Sequence, residues 1–249
     1  MSVMQTQRLG PLQFFRSSAA PCPYLPGRIE RKLFARLGGP DTATINSSLS
    51  QAGFRRSHDI IYKPACPGCT ACTAVRVPVA SFTISESIAR IAARGRSRFS
   101  IRECEAIPTR EQFSLFLDYE ASRHSDSDMA RMSYEDYAAM INEGQADTRF
   151  FELRDTDVSA TLRGLMLADR LSDGWSAVYS FYATAPEFNR FSLGTLLILS
   201  LIKDAAAASL PYVYLGYWVD KSPKMAYKAR FRPLEMLTPE GWAPFTDNE

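Results

Sequence analysis

The sequence predicts an α+β protein, with a smaller cysteine-containing N-terminal module over residues 1–104 and a larger C-terminal domain over residues 105–249. Three observations carry this. Consecutive strand candidates occur at Arg149–Arg154, Ala160–Asp169 and Ser176–Tyr182, followed by a long apolar helix. The first third is turn-rich and holds four of the five cysteines. With 249 residues, 46% of them hydrophobic and 12% aromatic, the chain can bury a sizeable core.

Taken in order, Met1 to Gly10 is polar and lacks the pattern of a signal peptide. Pro21, Pro23, Pro26 and Gly27, then Gly38-Gly39-Pro40, punctuate the early chain. Residues 41–52 read as a helix: Asp41 can cap it, Ile45 and Leu49 share a face, and Gly53 stops it. Ile60–Tyr62 and Ala74–Val79 read as strands around a cysteine turn, and residues 85–97 as a basic connector, helical or extended. Thr109 opens a helix with Gln112 as its capping-box partner, and Phe113, Phe116 and Leu117 face inward. The domain boundary is therefore set near residue 105. Asp173-Gly174 is a hairpin signal between the second and third strand candidates. An apolar helix over about 193–208 and a strand over Pro211–Tyr217 complete the reading, with Tyr212, Tyr214 and Tyr217 assigned to one strand face.

The net charge of +2 does not announce a nucleic-acid binder, but its distribution suits a localised polyanion contact, the alternative being two solvated faces. Arg90, Arg94, Arg96, Arg98 and Arg102 form one acid-free run, and Lys221, Lys224, Lys228, Arg230 and Arg232 another, interleaved with Tyr227 and Phe231. No apolar run reaches membrane-spanning length, and a cytoplasmic protein is expected.

Cys66-Pro-Gly-Cys69-Thr-Ala-Cys72 is a tight turn bearing three thiols, and Cys22 lies upstream. Four thiols brought together suit zinc or an iron–sulfur cluster; the alternative is reduced thiols packing a loop. Cys104 reads as a small buried hydrophobe.

The order of meander, loop, helix and return strand resembles the GCN5 N-acetyltransferase fold. There, the loop and the helix N-terminus cradle a pyrophosphate. The loop here is Arg190-Phe-Ser-Leu193-Gly194-Thr195, with Leu193 where the usual pattern has its first glycine. That departure argues against an ordinary coenzyme-A cradle.

From Tyr214 the chain reads Tyr-Leu-Gly-Tyr217-Trp218, and then Lys224-Met225-Ala-Tyr227-Lys228-Ala-Arg230-Phe231-Arg232. Upstream stand Cys22-Pro-Tyr-Leu25-Pro-Gly-Arg28, Gly53-Phe-Arg-Arg56, Tyr62-Lys-Pro-Ala-Cys66 and Arg123-His124-Ser-Asp126. Asp169-Arg-Leu-Ser-Asp-Gly, Tyr179-Ser-Phe and Ser192-Leu-Gly-Thr195 follow. Together these motifs resemble the arginyltransferase-like aminoacyl-tRNA–protein transferases of the N-degron pathway, across nearly the whole chain. The cysteine run and Leu25 point to the bacterial branch.

That resemblance implies an enzyme that takes leucine from leucyl-tRNA and adds it to the α-amine of proteins beginning with Asp or Glu. The chemistry itself needs no cofactor. Tyr179, Tyr217 and Asp169 are the candidate catalytic groups, Asp169 as a carboxylate for the incoming ammonium. The acidic acceptor calls for a cation, drawn from Arg76, Lys228 and Arg230, with Arg76 favoured. Leu193, Gly194 and Thr195 are expected to receive the terminal adenosine. Lys224, Tyr227, Tyr214 and Tyr217 supply phosphate contacts and stacking. His124 is read as structural or as positioning tRNA, and His58 as surface. Cys22, Cys66, Cys69 and Cys72 are the candidate metal ligands. The rival readings are a coenzyme-A-dependent N-acetyltransferase of the same fold and a non-catalytic, metal-bearing RNA-binding module.

Overall fold

The computed structural model describes residues 12–125, 127–143, 146–220 and 222–246. Met1 to Gly10, Asp126 and Lys221 therefore lie outside the described residues. Among the described residues, fourteen strands and five α-helices follow in chain order. The N-terminal part contains β1 (Phe15–Arg16), β2 (Ala20–Pro21), β3 (Ile29–Glu30), β4 (Lys32–Arg36), α1 (Thr42–Gln51), β5 (Arg55–Ser57) and β6 (Ile60–Pro64). Next come β7 (Cys72–Pro78), α2 (Glu86–Arg96), β8 (Phe99–Glu105), α3 (Arg110–Arg123) and α4 (Tyr134–Asn142). The meander is β9 (Thr148–Asp155), β10 (Leu162–Leu171) and β11 (Gly174–Tyr182). It leads to α5 (Leu193–Ala207), β12 (Tyr212–Val219), β13 (Glu235–Thr238) and β14 (Gly241–Pro244).

One eight-stranded sheet runs β14-β13-β7-β12-β11-β10-β9-β8, and a small sheet runs β1-β4-β6-β5. The expected division at 104/105 does not coincide with a break in the large sheet. β7 pairs antiparallel with both β12 and β13, and β8 pairs with β9. Chain before residue 105 therefore supplies two of its strands. Local sequence cannot reveal such pairing, because ladder partners lie far apart in the chain.

Alternation along β9, β10 and β11 sends successive side chains to opposite faces. Phe151, Met166, Ala177 and the apolar stripe of α5 form one core, with Ile88 and Ile91 of α2 closing it. The basic segment around Arg90 is thus an amphipathic helix. Phe150, Leu165, Val178 and Phe181 form the opposite core beneath Phe116 of α3 and Tyr137 of α4. The α3 capping box forms as its sequence predicts. In α1, Ile45 and Leu49 pack on the small sheet's core, while Asn46 and Ser47 are buried against β10 and its turn.

Candidate active site

The large sheet opens at its centre. β11 and β12 pair in parallel only where Gly174–Ser176 meets Tyr212–Tyr214, although both strands run on. Past that point β12 shifts register against β7 between Tyr214 and Gly216. Arg55 of β5 reaches into the opening: Nη2 donates to the Val178 carbonyl on β11, and Nη1 to the Leu215 carbonyl on β12 at 3.4 Å. A side chain of the small sheet thereby bridges the two parted strands. Around it lies a cleft of about 910 Å³ lined by both parts of the chain.

The lining has one electrostatic sign. Arg55, Arg56, Arg123, Lys224 and Lys228 reach its wall, and no Asp or Glu does among the described residues. Lys228 is 4% exposed, and its Nζ donates to the Tyr217 carbonyl at 2.5 Å. Burial pushes its pKa well below the usual lysine value, and the nearby Arg55 charge adds to this. Met129, Met140, Met166, Leu167, Ile198 and Leu215 give the cleft apolar stretches.

Of the expected site residues, Tyr179, Tyr217, Lys224, Tyr227, Lys228, Leu193, Gly194 and Thr195 all line this cleft. Tyr179 donates its hydroxyl to Glu120 of α3. The Tyr217 hydroxyl sits 2.8 Å from the Gly53 carbonyl and 3.0 Å from that of Tyr62, tying β12 to the small sheet. Burial raises the pKa of both phenols, so both stay protonated. Ser192 takes the left-handed conformation, with φ 51°, and turns the chain into α5. The first turn of a helix leaves N–H groups without intrahelical acceptors, and this one faces the cleft. A Cβ at Gly194 would lie 3.0 Å from the Tyr182 ring, so glycine lets that ring lie against the turn.

Four expectations are corrected. Asp169 is fully buried and gripped by Arg56 through Nε at 2.6 Å and Nη2 at 2.7 Å, with Asn46 and Thr148 also donating to it. It cannot receive a substrate ammonium; it anchors the small sheet to β10. Arg76, the favoured acceptor cation, pairs with Glu235 at 2.7 Å between the Tyr212 and Trp242 rings, away from the cleft wall. Arg230 is exposed and does not line the cleft. Tyr214 does not share a role with Tyr217: its hydroxyl donates to Asp173 at 2.8 Å and accepts from Arg76, so it is committed to the core. The register shift at Gly216 leaves the two tyrosines on one sheet face, opposite Arg76 and Ala74 in turn, and it is their hydrogen-bond partners that differ.

The sequence reading missed three residues. Arg55 belongs to the Gly53-Phe-Arg-Arg56 motif, which was the available signal. Glu120 continues the inward stripe of Phe113 and Phe116, and a carboxylate on such a stripe is itself a signal. His58, expected at the surface, lines the cleft, with φ 54°.

The cysteines gather but do not close. Burial first, then the charges of Cys22, Cys66 and Cys69, push the Cys72 thiol up to about 11. Backbone N–H groups of Leu25 and Arg31 lie 3.4 Å from the Cys22 sulfur and 3.5 Å from that of Cys66. The donor chemistry suits zinc or a cluster. Yet among the described residues no group of three or more His, Cys, Asp or Glu stands arranged to hold a metal. Cys104 is partly buried against the α3–α4 core.

Two family models match the chain: arginine-tRNA-protein transferase, N terminus, over residues 20–90, and arginine-tRNA-protein transferase, C terminus, over residues 111–238. The chain belongs to the arginine-tRNA-protein transferase family. It is therefore an aminoacyltransferase. Within the family it is 50% identical to the aspartate/glutamate leucyltransferase of Parvibaculum lavamentivorans, covering 92% of this chain and 93% of the relative. The same-named protein of Paramagnetospirillum magneticum is 44% identical, over 95% of each chain. Among solved structures, the chain resembles the C-terminal domain of an Agrobacterium fabrum protein assigned as a lysylphosphatidylglycerol synthetase. The TM-score is 0.52 at 13% identity, covering 81% of this chain and 63% of that one, a likeness of fold alone. No helix among the described residues is long and apolar enough to cross a membrane.

Proposed function

We propose that this enzyme transfers leucine from leucyl-tRNA to the α-amine of proteins that begin with Asp or Glu, and that the added leucine marks them for degradation. The carrying observation is the cleft lining, with five cations, apolar stretches and no carboxylate among the described residues. An arginyl donor would bring a guanidinium to a wall that offers it no counter-charge. A leucyl side chain needs only apolar surface, which Met166, Leu167, Ile198 and Leu215 supply. The tRNA end and an acidic acceptor both bring negative charge, which this lining complements.

The donor ester is already activated. An α-amine with a pKa of about 7.7–8.0 is partly neutral at physiological pH, so its lone pair is available without a strong base. It attacks the ester carbonyl carbon, and the tRNA 3′-oxygen leaves. Lys228, with Arg55 and Lys224 on the same wall, is assigned to the acceptor's side-chain carboxylate. Tyr227 and the first turn of α5 are assigned to the terminal adenosine. Arg55 fills the gap between β11 and β12, and Leu193 occupies the loop; both weigh against an arm of coenzyme A threading between the strands. We assign Cys22, Cys66, Cys69 and Cys72 to a structural zinc or iron–sulfur site, supported by their thiol donor chemistry and the N–H groups beside two of the sulfurs. The use of aminoacyl-tRNA assigns the enzyme to the cytoplasm.

The test offers peptides starting with Asp, Glu, Gln or Ala to the purified protein with leucyl-tRNA, arginyl-tRNA or acetyl-CoA. Transfer from leucyl-tRNA to the Asp and Glu peptides alone is expected. Acetyl transfer without aminoacyl transfer, or arginine as the preferred donor, overturns the proposal.

A further inference from the structure

Two carboxylates stand immediately behind the cleft wall, and they differ in one respect. Asp169, behind Arg56, is neutralised by a two-point guanidinium contact. Glu120, behind Tyr179, is 0% exposed and held only by hydroxyls: Tyr179 donates to one oxygen, and Ser127 to the other at 3.0 Å. Among the described residues no cation stands within ion-pair distance of it. Burying a carboxylate without a counter-ion is costly, and an apolar residue at this place on α3 would continue the stripe of Phe113 and Phe116. What the glutamate adds is a proton acceptor one hydrogen bond from the cleft. The phenol between them donates to Glu120 and keeps lone pairs for a donor on the other side.

We propose that Tyr179 and Glu120 form a proton relay that carries the amine's surplus proton to the departing 3′-oxygen, a step that rests on the transfer reaction assigned above. Attack by a neutral amine on an ester gives a tetrahedral adduct with a positive nitrogen and a negative oxygen. From that adduct the amine is the better leaving group, so the reaction runs backwards until the nitrogen loses a proton. The nitrogen's proton passes to the Tyr179 oxygen as the phenolic proton passes to Glu120. The oxyanion then re-forms the carbonyl, the carbon–oxygen bond to the 3′-carbon's oxygen breaks, and that oxygen takes its proton from Tyr179 as Glu120 returns its own. Amine and ester become amide and alcohol, with no proton gained or lost. Tyr179 touches the reacting atoms; Glu120 acts through it as a positioning and proton-accepting residue.

Other titratable groups surround the pair. Tyr119 and Arg123 lie on α3, and His124 caps it, its ring 5.9 Å from that of Tyr119. The Tyr182 ring on β11 lies 5.0 Å from that of Tyr119. From α4, Tyr137 packs on Phe116, and Asp128 and Arg131 of the 128–131 turn pair with each other in solvent. Their titration is common to wild type and variants, so the ratio of the two rates cancels it.

The experiment measures single-turnover transfer from leucyl-tRNA to an Asp-starting peptide from pH 6.5 to 8.5 for wild type, Glu120→Gln and Tyr179→Phe, with leucyl-tRNA binding measured alongside. Solvent base must replace the relay in the variants. Their kcat should fall about 10²-fold at pH 6.5 and the deficit narrow by about tenfold per pH unit, with KM and tRNA binding unchanged. Added buffer base should speed the variants and leave wild type unaffected. A wild-type-to-variant ratio constant across pH with no buffer effect, or an undiminished rate, overturns the relay. If one variant fails to bind tRNA, the other carries the test. Wild type that does not transfer leucine at all would instead overturn the reaction assigned above.

Discussion

The guanidinium of Arg55 occupies the space that a side chain on residue 216 would need. A Cβ there would fall 1.8 Å from Arg55 Nη1, and Gly216 has a φ of +75°. The glycine of the Tyr-Leu-Gly-Tyr217 strand end therefore does two things. It lets β12 take the register shift that opens the cleft, and it lets an arginine of the small sheet seat in the opening.

Gly216→Ala should damage both. A non-glycine residue at positive φ costs about 1–2 kcal/mol, and the clash falls on Arg55. We expect the melting temperature to drop by about 4 °C or more and leucyl transfer by at least tenfold. Calorimetry and a transfer assay check this.

Lys228→Ala should remove the acceptor's counter-charge. Leaving the opposing carboxylate unpaired costs on the order of 2–5 kcal/mol in transfer to Asp and Glu peptides. Binding of leucyl-tRNA should hold. The contrast is Arg76→Met, which should lower stability without altering selectivity among peptides, because Arg76 is engaged by Glu235 and two rings.

The depressed pKa of Lys228 sets a pH dependence. Between that value and about 10.4 the unfolded chain binds a proton that the folded chain has given up, so this lysine makes stability rise with pH across that window. Below the folded pKa, holding the buried charge costs stability throughout. Melting curves across alkaline pH should show this rise in wild type and lack it in Lys228→Met. Acceptor binding, which uses the charged form, should weaken as pH climbs through the same folded pKa.

Asp169→Ala leaves Arg56 buried without its partner. Breaking a buried pair from one side costs about 3–5 kcal/mol. Denaturant unfolding should show that loss, and transfer should fall only in step with the folded fraction.

Anaerobic purification followed by metal and sulfide analysis should find zinc, or iron with sulfide, in proportion to protein. Replacing Cys69 by Ala should remove it. Protein that is active, metal-free and freely alkylated at Cys22, Cys66, Cys69 and Cys72 would reduce these residues to loop packing.

Periodicity and turn chemistry made the meander, the Asp173-Gly174 hairpin, the capped helix at Thr109 and the apolar helix α5 legible, because each depends on neighbours within a few residues. The basic run around Lys228 and the tyrosine-rich strand end marked the right stretch of chain by motif. Tertiary structure decided which of those side chains face the cleft. Arg76 and Lys228 read alike in sequence, yet one meets Glu235 159 residues away and the other a backbone carbonyl and the Tyr227 ring. Asp169 and Glu120 differ for the same reason: Arg56 reaches the first, and among the described residues only hydroxyls reach the second. Residue type and spacing determined what chemistry this chain could carry. Pairing across more than a hundred residues decided which charges were neutralised in the core and which were left facing substrate.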